Sequence, residues 1–112
     1  MKKLFSLFLM TLMTVAAWAT DATFDFDNNY ATLFPSITGV SSNSSHDGDF
    51  TEAVTATVNG VNLTVSPATG GTANRIWGSS PRLRMYSGTM TVAAPNGYNI
   101  TKIVLENGKW DG

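Results

Sequence analysis

Arg75, Trp77, Arg82, Arg84 and Tyr86 stand close together in the chain. In extended backbone Arg82, Arg84 and Tyr86 project from one face, because side chains alternate along a strand. Guanidinium donors beside flat aromatic rings suit a sugar ring, and Arg, Trp and Tyr are enriched at protein interfaces. A ligand-binding face is one reading of these five residues. The other puts Trp77 in the core and leaves the arginines on an ordinary solvated face.

His46, Asp47 and Asp49 form the second concentration of chemistry-bearing side chains, inside the polar run Ser41 to Asp49. Carboxylates and carbonyls of such a loop can hold Ca²⁺, which takes roughly six to eight oxygens. Asp47-Gly48-Asp49 is far shorter than an EF-hand loop, and Asp and Gly are ordinary turn residues. A Ser–His–Asp hydrolytic arrangement through His46 has no G-x-S-x-G elbow to support it. The run has no apolar anchor and is expected to be exposed and mobile. No metal and no cofactor is therefore assigned, and no residue is named catalytic. The 112 residues contain no Cys and a single His, which removes disulfide frameworks, thiolate metal sites and His-rich centres. A formal net charge of −1 gives no basic footprint for nucleic acid.

The first 19 residues read as an export signal. Lys2 and Lys3 precede an apolar run from Leu4 to Ala17, and Ala17-Trp18-Ala19 supplies small residues where a signal peptidase cuts. The run is short of the ~20 residues a membrane span needs. Cleavage after Ala19 leaves residues 20–112 as one domain of 93 residues with net charge −3 and no membrane span. The Lys-Lys start is of bacterial type, so the expected destination is extracellular or the cell surface, with the periplasm as a further option. In that setting the N-x-S/T triplets at Asn43, Asn62 and Asn99 carry little weight.

The elements that must carry these side chains are strands. Residues 20–112 contain 24 Thr, Val and Ile against four Leu and two Met, a balance suited to pleated strands. Gly and Asn punctuate the chain every ~8–12 residues, as in an all-β sandwich or barrel. Asn28 to Phe34 allows a helix of a turn or two at most. Asn59-Gly60 between Ala53–Val58 and Val61–Ser66 predicts a type I′ hairpin. Its register sets Val58 against Val61, Ala56 against Leu63 and Val54 against Val65, all on one face. Thr55, Thr57, Asn62 and Thr64 take the other.

A second hairpin is expected at Ser87-Gly88, pairing Met85 with Met90 and Leu83 with Val92, so that Arg82, Arg84, Tyr86, Thr89 and Thr91 share the polar face. Tyr98 to Glu106 reads as a further strand with a β-bulge near Thr101-Lys102, which brings Tyr98, Ile100, Ile103 and Leu105 to one side. Thr23–Asp27 gives another strand through Phe24 and Phe26, with Asp25 and Asp27 on its solvated face. Ala73–Trp77 is a shorter candidate, and Trp110 receives no role.

The segments Phe24-Asp25-Phe26, Ala56 to Val65, Arg82 to Val92 and Gly97 to Ile103 together resemble a loose family of secreted β-rich modules of gut Bacteroidetes, largely uncharacterised. The resemblance spans nearly all of residues 20–112, and its motifs are structural. It implies export and a sandwich, and it transfers no catalytic or binding residue. In such modules the strand resembling Tyr98–Glu106 is generally followed by more strands. The expectation is an antiparallel β-sandwich, jelly-roll or immunoglobulin-like, truncated at its C-terminus. The expected function is a secreted or cell-surface, non-enzymatic module, carbohydrate-binding-like or adhesin-like, whose partner is a glycan or a surface protein. The alternative is the leading fragment of a secreted hydrolase whose catalytic part lies beyond Gly112.

Overall fold

Asn59 and Gly60 both have positive φ, 49° and 78°, as a type I′ turn requires. They close β1 (Val54–Val58) on β2 (Val61–Val65) in the register the sequence predicts, Val54 with Val65, Ala56 with Leu63 and Val58 with Val61. Val54, Ala56, Leu63 and Val65 are buried. On the other face the Thr55 and Thr64 hydroxyls hydrogen-bond at 2.8 Å, and Thr57 donates to Asn62 Oδ1 at 2.6 Å. Replacing Gly60 by valine should therefore cost more than ~1 kcal/mol, since a β-branched residue resists positive φ. An unchanged urea midpoint would contradict the turn type.

This structure is a computed structural model in which residues 20–106 are described. The export signal at 1–19 and Trp110 lie outside the described residues. The described chain is all-β apart from one short helix, α1 (Tyr30–Leu33), with five strands in two antiparallel sheets. The first sheet has the order β1-β2-β5, where β5 is Met90–Ala93. The second pairs β3 (Arg75–Trp77) with β4 (Arg82–Arg84).

The second hairpin is not formed as the sequence suggests. Leu83 pairs with Ile76 in the small sheet, and Val92 pairs with Leu63 in the large one. Residues 85–89 are a crossover between sheets, so Met85 and Met90 do not face each other, and Thr89 and Thr91 do not share a face with the arginines. The cause is polar. Asn74 and Ser66 capture backbone groups of Tyr86, Ser87 and Thr89 that a hairpin would have used.

The core joins one face of each sheet to the N-terminal segment. Leu33, Phe34, Ile37 and Phe50 pack with Val54, Ala56, Leu63, Val65 and Ile76. Phe34 meets Phe50 edge-on at 5.5 Å and stacks on Phe26 at 6.3 Å. Phe24 and Phe26 do reach the core, but Thr23–Asp27 belongs to no ladder. Asp25 Oδ1 accepts the amides of Asp27 and Asn28 at 3.0 and 3.1 Å, and its carbonyl accepts that of Asn29. The chain thus turns into α1 instead of running on as an edge strand. These contacts, the Asn28 amide foremost, hold the Asp25 carboxyl below its ordinary pKa.

Tyr98 to Glu106 also joins no ladder. Past Gly97 the chain makes a turn, with the Tyr98 amide donating to the Pro95 carbonyl at 3.1 Å. The expected bulge at Thr101-Lys102 needs a partner strand, and without one Ile100, Ile103, Val104 and Leu105 are all exposed.

Candidate functional site

Each sheet face inherits its character from strand alternation. In the β3–β4 ladder Ile76 and Leu83 point to the core, so Arg75, Trp77, Arg82 and Arg84 share the outer face. Arg75 is directly opposite Arg84, and Trp77 is opposite Arg82. Tyr86 follows two residues beyond Arg84 and is 50% exposed. The structure therefore brings together all five residues singled out in the sequence, although not through the hairpin that suggested it.

The ladder is only three residues long in each strand, and its free edge is covered from an unexpected quarter. The Ser41–Asp49 loop, expected to be exposed and mobile, has an exposed tip at Asn43, Ser44, His46 and Asp47, but its two ends are docked along β3. The Ser41 amide donates to the Ile76 carbonyl at 2.7 Å, and the Ser41 carbonyl accepts the Gly78 amide at 3.0 Å. Ile76 in turn donates to the Gly48 carbonyl at 2.9 Å, and Phe50 to the Asn74 carbonyl at 2.8 Å. The Ser41 hydroxyl, fully buried, donates to Asp49 and accepts the Gly48 amide. The loop has no apolar anchor because backbone pairing anchors it instead.

Docking the loop delivers Asp49 to Arg75. Arg75 Nε lies 3.2 Å from Asp49 Oδ1 and donates also to the Ala73 carbonyl at 3.0 Å. Only 8% of Arg75 is exposed, so it is a buried, neutralised cation and not a free contact residue. His46 Nδ1 lies 3.0 Å from the other Asp49 oxygen. Burial pushes the Asp49 carboxyl up in pKa, but the Ser41 and His46 hydrogen bonds and the charge of Arg75 outweigh it. The net shift is downward, so the group is ionised at neutral pH.

With both oxygens engaged by Ser41, Arg75 and His46, Asp49 is a structural anion. No group of three His, Asp or Glu side chains gathers into a metal cluster among the described residues. A hydrolytic relay needs imidazole between hydroxyl and carboxylate. Here the carboxylate lies between Ser41 and His46.

The aromatic rings carry cations. The Arg84 guanidinium carbon lies 4.8 Å from the Trp77 ring centre and that of Arg75 5.4 Å from it. Arg75 also lies 5.9 Å from the Tyr86 ring centre. Such contacts are worth roughly 0.5–2 kcal/mol each and hold a guanidinium plane in place. Trp77 is half-buried on the outer face and is absent from the core, contrary to the second of the two sequence readings.

Asp49 is the site residue sequence reasoning assigned to another role, as a loop acid or calcium ligand. Asn74, which fixes Tyr86 from beneath, gave no signal beyond being a polar residue ahead of a short strand. Its side chain accepts the Tyr86 amide at 2.7 Å and donates to the Ser87 carbonyl at 2.7 Å. No family model, curated protein or solved structure matches the chain.

Proposed function

We propose that this protein is a secreted or cell-surface, non-catalytic β-sandwich module that binds a glycan or a protein through the outer face of β3–β4. A jelly-roll or immunoglobulin-like arrangement of its two sheets, and kinship with the secreted modules of gut Bacteroidetes, belong to the same proposal. The contacts are assigned to Arg82, Arg84 and Tyr86, with Arg75 and Trp77 as their support. One observation carries the reading. Three arginines and two aromatic rings share one side of the ladder, and the loop paired along its edge brings Asp49 to Arg75, leaving Arg82, Arg84 and Tyr86 as the accessible members.

The test pairs binding with melting. Arg84→Ala and Tyr86→Ala should abolish capture on a broad glycan and surface-protein array. Stability should fall by no more than about 2 kcal/mol in either variant, the worth of the cation–π contact that goes with each side chain. A melting loss near the ~3–5 kcal/mol of a buried aromatic would place Tyr86 in the core and remove the surface. Export is checked by N-terminal sequencing of protein secreted from a bacterial host, which should begin at Thr20. An intact Met1 in secreted material would refute it.

A further inference from the structure

All three arginines of the chain are on this one two-stranded ladder, in a protein whose formal net charge is −1. Arg75 and Arg84 are directly opposed across it, a like-charge pairing that opposes strand association. Asp49 neutralises only one of the three. Among the described residues Asp49 forms an ion pair with Arg75 and a hydrogen bond with His46, and no ion pair reaches Arg82 or Arg84. The Trp77 ring is occupied by the guanidiniums of Arg75 and Arg84, so it serves as a rest for cations more than as an open platform for a sugar. The Gly78 turn passes beside Arg82 Nη2.

Resting on the proposal that this face binds a ligand, we infer that the ligand is a carboxylated polysaccharide, whose uronate carboxylates bind the Arg82 and Arg84 guanidiniums while its sugar rings lie along Tyr86. Arginine presents a rigid donor fork that matches a carboxylate in two parallel hydrogen bonds. Stacking on Trp77 orders the Arg84 fork before binding, which lowers the entropic cost of contact. Two alternate residues of a strand are separated by roughly 7 Å, so Arg82 and Arg84 present two forks along one line. That arrangement suits a polymer with a repeated anion. A carboxylate fixed on a sugar ring arrives ordered, whereas the flexible side chains of an acidic peptide must lose rotamer freedom. The half-exposed Tyr86 ring offers the apolar contact that a sugar face uses and a bare anion does not.

The experiment compares polygalacturonate with the same polymer fully methyl-esterified, titrated against the exported protein. The acid form should bind about ten- to a hundredfold more tightly than the ester, since each charge-assisted hydrogen bond lost is of that order. Raising NaCl from about 0.05 M to about 0.5 M should weaken the acid form alone. Arg84→Gln and Arg82→Gln should each reduce binding by about tenfold or more, with melting unchanged in Arg82→Gln, whose side chain is the exposed one of the two. The ester comparison needs only the wild-type protein and stands if a variant folds poorly. Equal binding of acid and ester overturns the inference. Poly-glutamate bound as tightly as the polysaccharide also overturns it, and assigns the face to an acidic peptide. Capture of neutral glycans or proteins on the array with no binding of the acid polymer overturns the inference and leaves the binding surface standing. No binding in either assay defeats both.

Discussion

Replacing Gly48 by alanine is expected to lower the stability of the protein by about 3 kcal/mol or more, above the ordinary range for an overpacked core. A Cβ at this position would fall 2.3 Å from the Ile76 carbonyl oxygen and 2.7 Å from the Ser41 amide nitrogen. Both are backbone atoms, and both are already paired, with the Ile76 carbonyl taking the Ser41 amide. Neither can yield as a flexible side chain would. The loop must lift from β3, which frees the Ile76 amide from the Gly48 carbonyl and draws Asp49 away from Arg75. The buried Arg75 then loses its counter-charge, which is the costlier consequence. Urea titration measures the loss. Tryptophan fluorescence follows the site at the same time, since Trp77 lies in the same ladder. A Gly48→Ala protein with an unchanged midpoint would mean that the loop does not pack on β3 as described.

The second large effect is at Asn74. Its side chain is fully buried and makes four hydrogen bonds to backbone. The amide nitrogen donates to the carbonyls of Ser66 and Ser87 at 3.0 and 2.7 Å, and the oxygen accepts the amides of Tyr86 and Ser87 at 2.7 and 3.3 Å. Asn74→Asp keeps the shape and the acceptor but turns a two-proton donor into a second acceptor facing two carbonyls. The expected loss is about 2–4 kcal/mol, because buried carbonyls left without a donor lose their hydration for nothing. Amide exchange gives a local readout. Tyr86 and Ser87 should exchange faster in the variant by more than the global loss explains, because the crossover opens first. Wild-type exchange at those amides in an otherwise destabilised protein would show that Asn74 supports something else.

These two residues mark the boundary of what can be read along the chain. The β1–β2 hairpin is entirely local. Asn-Gly supplies the positive φ pair, alternation supplies the buried face, and no distant residue is needed to set the register. The short helix before Pro35 is legible for the same reason, and so is the shared face of Arg82 and Arg84; their meeting with Arg75 and Trp77 is made by the β3–β4 pairing. Ser87-Gly88 has the same local chemistry as a hairpin turn, yet its flanks pair elsewhere. Leu83 meets Ile76 and Val92 meets Leu63, while Asn74 and Ser66 hold the crossover between. Thr23–Asp27 alternates like a strand but ends in a turn capped by Asp25.

The sequence by itself determined the all-β character, one hairpin with its register, and the alternation that sets Arg82 and Arg84 on one face. Each of these depends on backbone preference and on a period of two residues, which neighbours in the chain decide. Tertiary structure alone decided which strand lies beside which, and that the most polar stretch of the chain is a docked edge. It also decided which arginine is buried against Asp49, which rests on Trp77 and which is left exposed. The physical reason is that a backbone amide or carbonyl carries no sequence label. Ser41, Gly48 and Phe50 find β3 through main-chain groups that every residue possesses, so their pairing is fixed by geometry and leaves no pattern in the residue types.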